Sequence, residues 1–449
     1  MLPTPQVATG SGGMAPVDVV PPPPVPLGFL AAAGVGLVGF GLATWFAADR
    51  IVAAPSHPGA VSAAHLGVLA FLTVGVLGAV HQFGPVVGRR PLRSVPAARL
   101  TLAGMVATGW LLPTGFAHGP DWLIPTAGSV GAVTVVIAAW NLSGPLMARG
   151  GDIPVIGLRI SITYLVVTVA FGMVYAFNRE AGWFPLYPSR VLAHAHLGLL
   201  GWLGLTYVSV AEKLWPMFLL SHRPSARPGV VAVSCLGAGV APLAAGLLFS
   251  APAFAWLGGG LVIVGLGAHA VSLATSVRHR RRPIELLHGF LFGSIGFLAI
   301  AAVTGGLAVV LPLDPATRAR LVTAEVAALI AWLGLAILGH AHKIVPFIVY
   351  TVLRSRGVSR WATGRPLLFS DLYRPVPARV TLVLGATGFA MLVAGILTAS
   401  APTVAAAGVT IAATALVTML NLTLTPRLTA TAATRLDEAP LTAHLTEGP

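Results

Sequence analysis

Residues 194–216 read HAHLGLLGWLGLTYVSVAEKLWP, an apolar stretch that is long enough to cross a membrane. His194 and His196 stand at its start, Glu212 and Lys213 lie near its end, and a proline closes it. Ionisable groups cost roughly 2.5–3.5 kcal/mol each at the centre of a membrane helix on insertion scales. Four of them in one segment indicate that this helix has a function in addition to spanning the membrane.

The same helix occurs three times in the chain. The copies are HLGVLAFLTVGVLGAVHQFGP from His65, HLGLLGWLGLTYVSVAEKLWP from His196 and VAALIAWLGLAILGHAHKIVP from Val326. Their starts are 131 and 130 residues apart, and each copy reaches a proline twenty residues on. Sixteen residues into the three copies lie His81, Glu212 and His342. Repetition in this register predicts a fold built from three similar blocks.

The composition excludes an ordinary soluble protein. Of 449 residues, 56% are hydrophobic and only 9% are charged, whereas charged residues make up about 25% of typical soluble domains. The net charge of +14 comes from arginines in short loops between apolar segments. Arginines in such loops set membrane topology, so we do not expect nucleic-acid binding. The single cysteine, Cys235, excludes an internal disulfide and a thiolate metal cluster.

We therefore predict an all-α polytopic membrane protein with about twelve transmembrane helices in three pseudo-threefold blocks of four. Each span has the roughly 20 apolar residues that cross about 30 Å of hydrocarbon. The predicted spans are 26–48, 60–86, 98–118, 123–146, 155–177, 193–220, 228–249, 253–275, 285–311, 320–352, 376–399 and 402–424. The single transmembrane domain is 26–425. Its three blocks are 26–146, 155–275 and 285–425. A disordered Pro/Gly-rich segment, 1–25, precedes the domain, and a polar tail, 426–449, follows it.

Arginines also set the predicted orientation. They are concentrated in loops after even-numbered spans, as in the run Arg280, Arg281 and Arg282. The positive-inside rule places these loops and both termini in the cytoplasm. We expect a multi-pass protein of the inner (plasma) membrane, with the lipid bilayer as its surroundings. The three repeated helices then run from outside to inside.

This topology sorts the ionisable residues of the predicted spans into two layers. The outer layer is His65, His118, His194 and His196, and the inner layer is Glu212 with His81, His269, His288, His340 and His342. Of these we expect His118 and His269 to be structural. Sixteen residues of helix rise about 24 Å, so His65 and His81 cannot bind the same metal ion. We expect the outer layer to bind a cofactor.

The inner layer offers two kinds of site. Threefold symmetry predicts that His81, Glu212 and His342 lie at one depth around a common axis, where they would bind a cation or carry protons. His340 and His288 are further candidate ligands. Imidazole suits copper and iron alike, so the residues themselves leave the identity of such a metal open.

These residues resemble subunit I of the haem-copper oxidase superfamily. HAHLGLLGW at 194–202 is similar to the His-x-His segment of that family, especially of cbb3-type oxidases and nitric oxide reductases, and His65 matches its low-spin haem ligand. The chain also resembles shorter relatives such as the NnrS-type haem- and copper-containing membrane proteins. The resemblance implies twelve helices in a pseudo-threefold arrangement, b-type haem held by His65 with His194 or His196, and copper as a possible second metal.

The sequence departs from the oxidases at the sites of oxygen reduction. The outer His-x-His pair lies on the sixth span instead of the tenth, and the seventh span has no His-His pair. We therefore do not expect a standard terminal oxidase. The resemblance implies electron transfer, or redox chemistry of nitric oxide or oxygen, with a redox partner or a small gas ligand.

Two other functions fit the same residues. Internal repeats with intramembrane His, Glu and Lys also describe proton-coupled or metal-cation transporters. A haem sensor or assembly subunit without turnover would carry the same ligands. No Cys-x-x-Cys-His motif is present for covalent haem, so any haem is expected to be of the b type. Whether the protein is an enzyme is left open at this point.

Overall fold

The computed structural model describes residues 19–147, 150–223, 225–361, 364–372 and 374–437. It confirms an all-α polytopic membrane protein with twelve helices long and apolar enough to cross a membrane. The helices are α1 (Pro24–Phe46), α2 (Pro58–Gly88), α3 (Val95–Ala117), α4 (Leu123–Leu146), α5 (Ile153–Ala181), α6 (Pro188–Leu219), α7 (Arg227–Leu248), α8 (Pro252–Arg278), α9 (Leu286–Val310), α10 (Pro315–Ser355), α11 (Pro375–Leu397) and α12 (Ala401–Asp437). Among the described residues the β pairing is limited to one isolated bridge, Arg360 to Pro366.

Proline begins most of these helices. It occupies the first turn of α1, α2, α3, α5, α6, α7, α8, α10 and α11. There its missing N–H costs nothing and its fixed φ already suits a helix. Side chains cap α2, where His57 accepts from the Gly59 N–H, α3, where Ser94 accepts from the Ala97 N–H, and α10, where Asp314 accepts from the N–H groups of Ala316 and Thr317.

The prolines predicted to close the repeated helices lie inside them instead. Pro85, Pro216 and Pro346 are internal residues of α2, α6 and α10. Two other bounds differ from the sequence-based expectation. Helix α12 continues to Asp437, past the predicted end of its span, and α10 is 41 residues long. Residues 1–18 of the predicted disordered segment and 438–449 of the predicted polar tail lie outside the described residues.

The three repeated helices form the centre of the molecule. α2, α6 and α10 contact one another, and 72%, 72% and 67% of their most apolar windows are buried within the protein. In the other nine spans the buried share is 17% to 50%. The prediction that the second, sixth and tenth helices line a common centre therefore agrees with these contacts.

Two of the central helices contain a wide π-helical segment in the same place. The segments are Leu66–Thr73 in α2 and Leu197–Gly204 in α6, and each begins on the residue after His65 or His196. The equivalent part of α10 is regular α-helix. π-Helical turns are rare and occur frequently at functional sites. The segments therefore mark the region just below the outer histidines as structurally unusual.

Candidate functional site

His65 stands at the N-terminal end of the π-helical segment of α2. Its Nδ1 lies 2.8 Å from the carbonyl oxygen of Val61, one turn earlier in the helix. The ring also packs on Phe116 of α3, with centroids 5.0 Å apart. Because a carbonyl can only accept, Nδ1 carries the proton and Nε2 keeps its lone pair. This is the tautomer that a metal-binding histidine needs.

His194 faces α5. Its Cε1 lies 3.3 Å from the position that a Cβ on Gly172 would occupy, and its ring is 5.9 Å from that of Tyr175 in an edge-on contact. Its Nδ1 is buried and meets hydrogen-bond geometry with no described residue, although the ring lies beside the Thr168 backbone of α5. His194 also lies within electrostatic range of His65. The structure therefore brings these two outer histidines, from α2 and α6, into one neighbourhood.

His196 has both ring nitrogens engaged. Nδ1 lies 2.8 Å from the Leu192 carbonyl oxygen, and Nε2 lies 3.3 Å from Oε1 of Glu325 on α10. Both side chains are largely buried, with 8% and 15% of their surface exposed. The nitrogen of His196 that would bind iron thus faces a carboxylate. Of the two candidates on α6, His194 is the one left open.

Glu325 completes the outer layer and was missed in the sequence. It immediately precedes Val326, the first residue of the third copy, so it lies almost at the repeat position of His65 and His196. An acidic residue one place before the repeat position does not match the histidines of the other two copies, so the repeat pattern did not mark it. Gly305 of α9 makes room for it, since a Cβ there would lie 2.6 Å from Oε1.

His81 and His342 each pack against the first helix of their own block. His81 stacks on Phe29 of α1 at 5.2 Å and 20°, and His342 stacks on Phe290 of α9 at 5.5 Å and 23°. Both donate Nδ1–H to a carbonyl one turn earlier, leaving a buried Nε2 without a partner in the described part of the chain. The two pairs are separated by the same 261 positions, so the repeat in the sequence is also a repeat in packing.

Glu212 belongs to a different cluster. Its Oε2 accepts from Arg223 at 2.6 Å and from Ser272 of α8 at 2.9 Å. Arg223 also donates to the Glu212 backbone carbonyl at 2.9 Å. Nδ1 of His269 lies 3.8 Å from Oε1. The structure therefore does not gather His81, Glu212 and His342 on one axis, because their partners are on α1, α8 and α9.

His288 and His340 lie in the same half of the bundle as Glu212. Nδ1 of His288 accepts from the backbone N–H of Glu285 at 2.9 Å, which caps α9. Nδ1 of His340 lies 2.7 Å from the Ala336 carbonyl oxygen. Within the described residues no three His, Cys, Asp or Glu side chains form a group that would hold a metal ion. The inner layer is therefore not assembled as one ligand set.

Tyr207 of α6 is the centre of an aromatic and polar cluster that the sequence did not indicate. Its ring contacts His269 of α8 at 5.7 Å, and Trp332 and His340 of α10 at 5.6 and 6.2 Å. Its hydroxyl lies beside Trp215 and Ser294 without meeting hydrogen-bond geometry to either. Nothing in the sequence pairs these residues, because they come from four helices.

Two surface depressions lie away from both layers. One, of about 270 Å³, lies between α4 and α5, and the other, of about 250 Å³, lies beside α10 and α11 near Arg320. Typical ligand pockets measure roughly 300–1,000 Å³ and hold convergent polar groups. Apolar side chains predominate in both linings, so neither is a site for a small polar substrate.

The fold and these clusters define the protein as a twelve-helix multi-pass membrane protein with ionisable groups on its central helices. No protein-family model matches the chain, and no curated protein matches it.

Proposed function

We propose that the protein binds b-type haem between α2 and α6, where His65 and His194 would hold it. The observation that carries this proposal is the pairing of two open histidines on two central helices that contact each other. His65 has an unprotonated Nε2, and His194 lies within its electrostatic range with Nδ1 unpartnered. His196 is the less suitable ligand because Glu325 faces its Nε2.

The protein's own contribution at this site is to orient the imidazoles. The Val61 carbonyl fixes the tautomer of His65 and makes its Nε2 a better donor to a metal. The Phe116 ring packs on the His65 imidazole and restricts its rotation. Bound haem would supply one-electron redox chemistry, and its potential would follow from axial ligands, hydrogen bonding and burial. We propose a role in electron transfer or in nitric oxide or oxygen redox chemistry, with a redox protein or a small gas as partner.

An absorption spectrum tests the haem proposal. Protein purified from haem-sufficient cells should show a Soret band that shifts on reduction with dithionite. The variants His65→Ala and His194→Ala should each lose the band or change its position. His118→Ala is the matched control, because His118 follows the last residue of α3 and lies outside the cluster.

Three results would contradict parts of this proposal. Colourless wild-type protein would remove the haem assignment altogether. Loss of the Soret band in His196→Ala, together with an unchanged spectrum in His194→Ala, would identify His196 instead of His194 as the second ligand. Carbon monoxide binding by the reduced wild type would mean that only one of the two histidines holds the haem.

A proton-coupled or metal-cation transporter is the second candidate, and the Glu212 cluster favours it. A carboxylate that is 7% exposed, paired with Arg223 and adjacent to His269, is the kind of intramembrane charge that marks ion pathways. In proteoliposomes, a transporter would show cation- or proton-driven flux that Glu212→Gln reduces. Flux equal to that of empty liposomes would remove this candidate. A haem spectrum without turnover would instead identify a sensor or assembly subunit.

We further propose that both termini lie in the cytoplasm and that the membrane is the plasma membrane. The support is the distribution of arginine among the loops, which follows the positive-inside rule. Fusions of a phosphatase and a fluorescent protein to each terminus test this. Phosphatase activity at either terminus would reverse the assignment.

A further inference from the structure

A groove runs between α4 and α5, where the first and second blocks meet. It is the depression of about 270 Å³ described above. The side chains of Val136, Trp140 and Val166, which lie along it, are 63%, 51% and 40% exposed. In a membrane-spanning protein this outer surface of the bundle faces lipid. A lipid molecule can therefore reach the groove directly from the bilayer.

The two ends of the groove differ in polarity. Ala139 and Val166 line one end, and Ser143 and Arg159 line the end that is nearer to the loop between α4 and α5. The seven residues from Arg159 to Val166 rise about 10 Å. Trp140 is exposed near the polar end, and exposed tryptophan is enriched at the depth of the lipid headgroups. The groove thus has a polar end at headgroup depth and an apolar end in the hydrocarbon, as a phospholipid has.

Arg159 is held at the polar end by backbone carbonyls. Its Nε donates to the Leu146 carbonyl, and its Nη2 donates to the Gly150 carbonyl at 2.7 Å. Leu146 is the last residue of α4, and the C-terminal end of a helix carries partial negative charge. Stabilisation of the end of α4 accounts for Arg159 by itself, but it does not account for a second arginine at the same end of the groove.

That second arginine is Arg93, from the loop between α2 and α3. Its Nε donates to Oγ of Ser143 at 2.8 Å, and its guanidinium lies over the Trp140 ring, 5.8 Å from the centroid. Both partners are neutral. None of the ion pairs in the described part of the chain includes Arg93. Its positive charge therefore remains available to an anion at the polar end of the groove.

The loop that carries Arg93 is fixed on α4. Oδ1 of Asn141, a residue that is 0% exposed, accepts from the Ser94 N–H at 2.9 Å. A Cβ on Gly144 would lie 2.9 Å from Cγ of Arg93, so the loop approaches α4 where a side chain is missing. The position of Arg93 beside the groove is therefore set by the fold.

The polar end of the groove also lies in a strongly positive part of the chain. The loop segments 89–94 and 147–152 contain four arginines and one acid, which are Arg89, Arg90, Arg93, Arg149 and Asp152. Between Asp49 and Asp152 the sequence has a single acidic residue, Asp121, which precedes α4 at the opposite end of that helix. Basic pockets between membrane helices bind anionic lipid headgroups.

We propose that the groove between α4 and α5 binds an anionic phospholipid from the bilayer. The phosphate would lie between Arg93 and Arg159, and one acyl chain would lie along Ala139 and Val166. The two arginines favour an anionic headgroup over a zwitterionic one, and the apolar lining favours a lipid over a small hydrated anion. The site is separate from the proposed haem and transport functions, because none of these residues belongs to either cluster.

Native mass spectrometry of the full-length protein, released from a neutral detergent, tests the binding. Titration with phosphatidylglycerol should show one saturable bound lipid, at a lower concentration than phosphatidylcholine with the same acyl chains. Arg93→Gln and Arg159→Gln should each weaken this binding about fivefold, the effect of removing one cation from an anionic lipid surface. Arg282→Gln is the matched control, because it removes the same charge from an exposed position in the loop between α8 and α9.

A second pair of variants leaves every charge in place. Ala139→Phe puts a ring into the apolar end of the groove, whereas Val136→Phe puts the same ring on the exposed side of α4, outside the lining. Ala139→Phe should abolish the saturable binding, and Val136→Phe should bind as the wild type does. Because Arg159 also bonds the end of α4, Arg93→Gln and Ala139→Phe decide the outcome if Arg159→Gln does not fold.

Three results would overturn the proposal. Equal binding of phosphatidylglycerol and phosphatidylcholine by the wild type would show that the arginines do not select the headgroup. Equal weakening in Arg93→Gln and Arg282→Gln would mean that the lipid responds to the overall charge of the surface and not to this site. Wild-type binding by Ala139→Phe would show that no acyl chain enters the groove.

Discussion

Nε2 of His196 on α6 lies 3.3 Å from Oε1 of Glu325 on α10, and this contact links two of the three central helices. Nδ1 of the same ring already faces the Leu192 carbonyl at 2.8 Å. Both ring nitrogens therefore point at acceptors, unless the carboxyl itself carries a proton. In either arrangement one proton lies on Nδ1 and a second lies between Nε2 and the Glu325 carboxyl. The pair therefore holds one proton more than a neutral imidazole beside a carboxylate.

Removing this link should destabilise the bundle measurably. Hydrogen bonds between membrane helices contribute roughly 0.6 kcal/mol on average and about 1.7 kcal/mol at most. We expect Glu325→Ala to lose an amount in this range and Glu325→Gln to lose less, because the amide still pairs with imidazole. Unfolding in mixed micelles measures both, with Glu180→Ala as the control for an exposed carboxylate. Equal losses in Glu325→Ala and Glu180→Ala would mean that the link contributes nothing.

Replacement of glycine by alanine should change stability in opposite directions at two positions. A Cβ on Gly229 would lie 2.1 Å from Oε2 of Glu212, so Gly229→Ala should displace the carboxylate from Arg223 and lower stability. A Cβ on Gly259 meets nothing within 4 Å. There the helix propensity of alanine should raise stability by up to about 1 kcal/mol. Thermal unfolding of the two variants measures the contrast, and a stabilised Gly229→Ala would show that Glu212 moves aside freely.

The number and order of the helices could be predicted from the sequence because membrane spans require about 20 consecutive apolar residues. The 130-residue repeat also placed the second, sixth and tenth spans at the centre. The direction of individual side chains could not be predicted in the same way. His81 shares its repeat position with Glu212 and His342, and that position fixes depth along the helix but not rotation about it.

The π-helical segments change how the outer layer relates to the inner layer, but they do not explain why Glu212 differs from His81, because α2 and α6 share them and His81 packs like His342 of the regular α10. Projection from His65 to His81 assumes 3.6 residues per turn throughout, but Leu66–Thr73 forms wider turns with i→i+5 bonding. The residues below the segment are thereby rotated relative to those above it. The same holds below His196 but not in α10, where the helix is regular. No composition signal in the sequence distinguished these segments from ordinary apolar helix.

The two Phe–His stacks should respond alike to mutation, because they are copies of one contact. Phe29 and Phe290 are both fully buried, and each fills the space over a glycine of the neighbouring central helix, Gly78 or Gly339. We expect Phe29→Ala and Phe290→Ala each to destabilise the protein by about 3–5 kcal/mol. Phe254→Ala is the control, since Phe254 is 55% exposed. A large loss at one stack and none at the other would contradict their equivalence.

Asp371 should control the order of the loop between α10 and α11 in a pH-dependent way. Its Oδ2 accepts from Nε1 of Trp361 and from the Leu368 N–H, both at 2.9 Å, and Arg365 lies 3.0 Å from Oδ1. Burial alone would raise the pKa of this carboxyl. The hydrogen bonds from Trp361 and Leu368 and the charge of Arg365 outweigh burial, so the pKa lies below its ordinary value of 3.8.

The sign of the effect follows from that lowered pKa. The ionised form is favoured in the folded loop, so its stabilising contribution is fully present above the ordinary pKa and is lost as the pH falls through the lower, folded value. We expect hydrogen exchange of the peptide 364–372, corrected for intrinsic rates, to show constant protection between pH 5 and 8. Protection should fall only below the ordinary pKa of 3.8.

Asp371→Asn should be unprotected at neutral pH as well, whereas Asp152→Asn, at a helix start without a side-chain cap, should match the wild type. Loss of protection between pH 5 and 7 would assign the transition to another group.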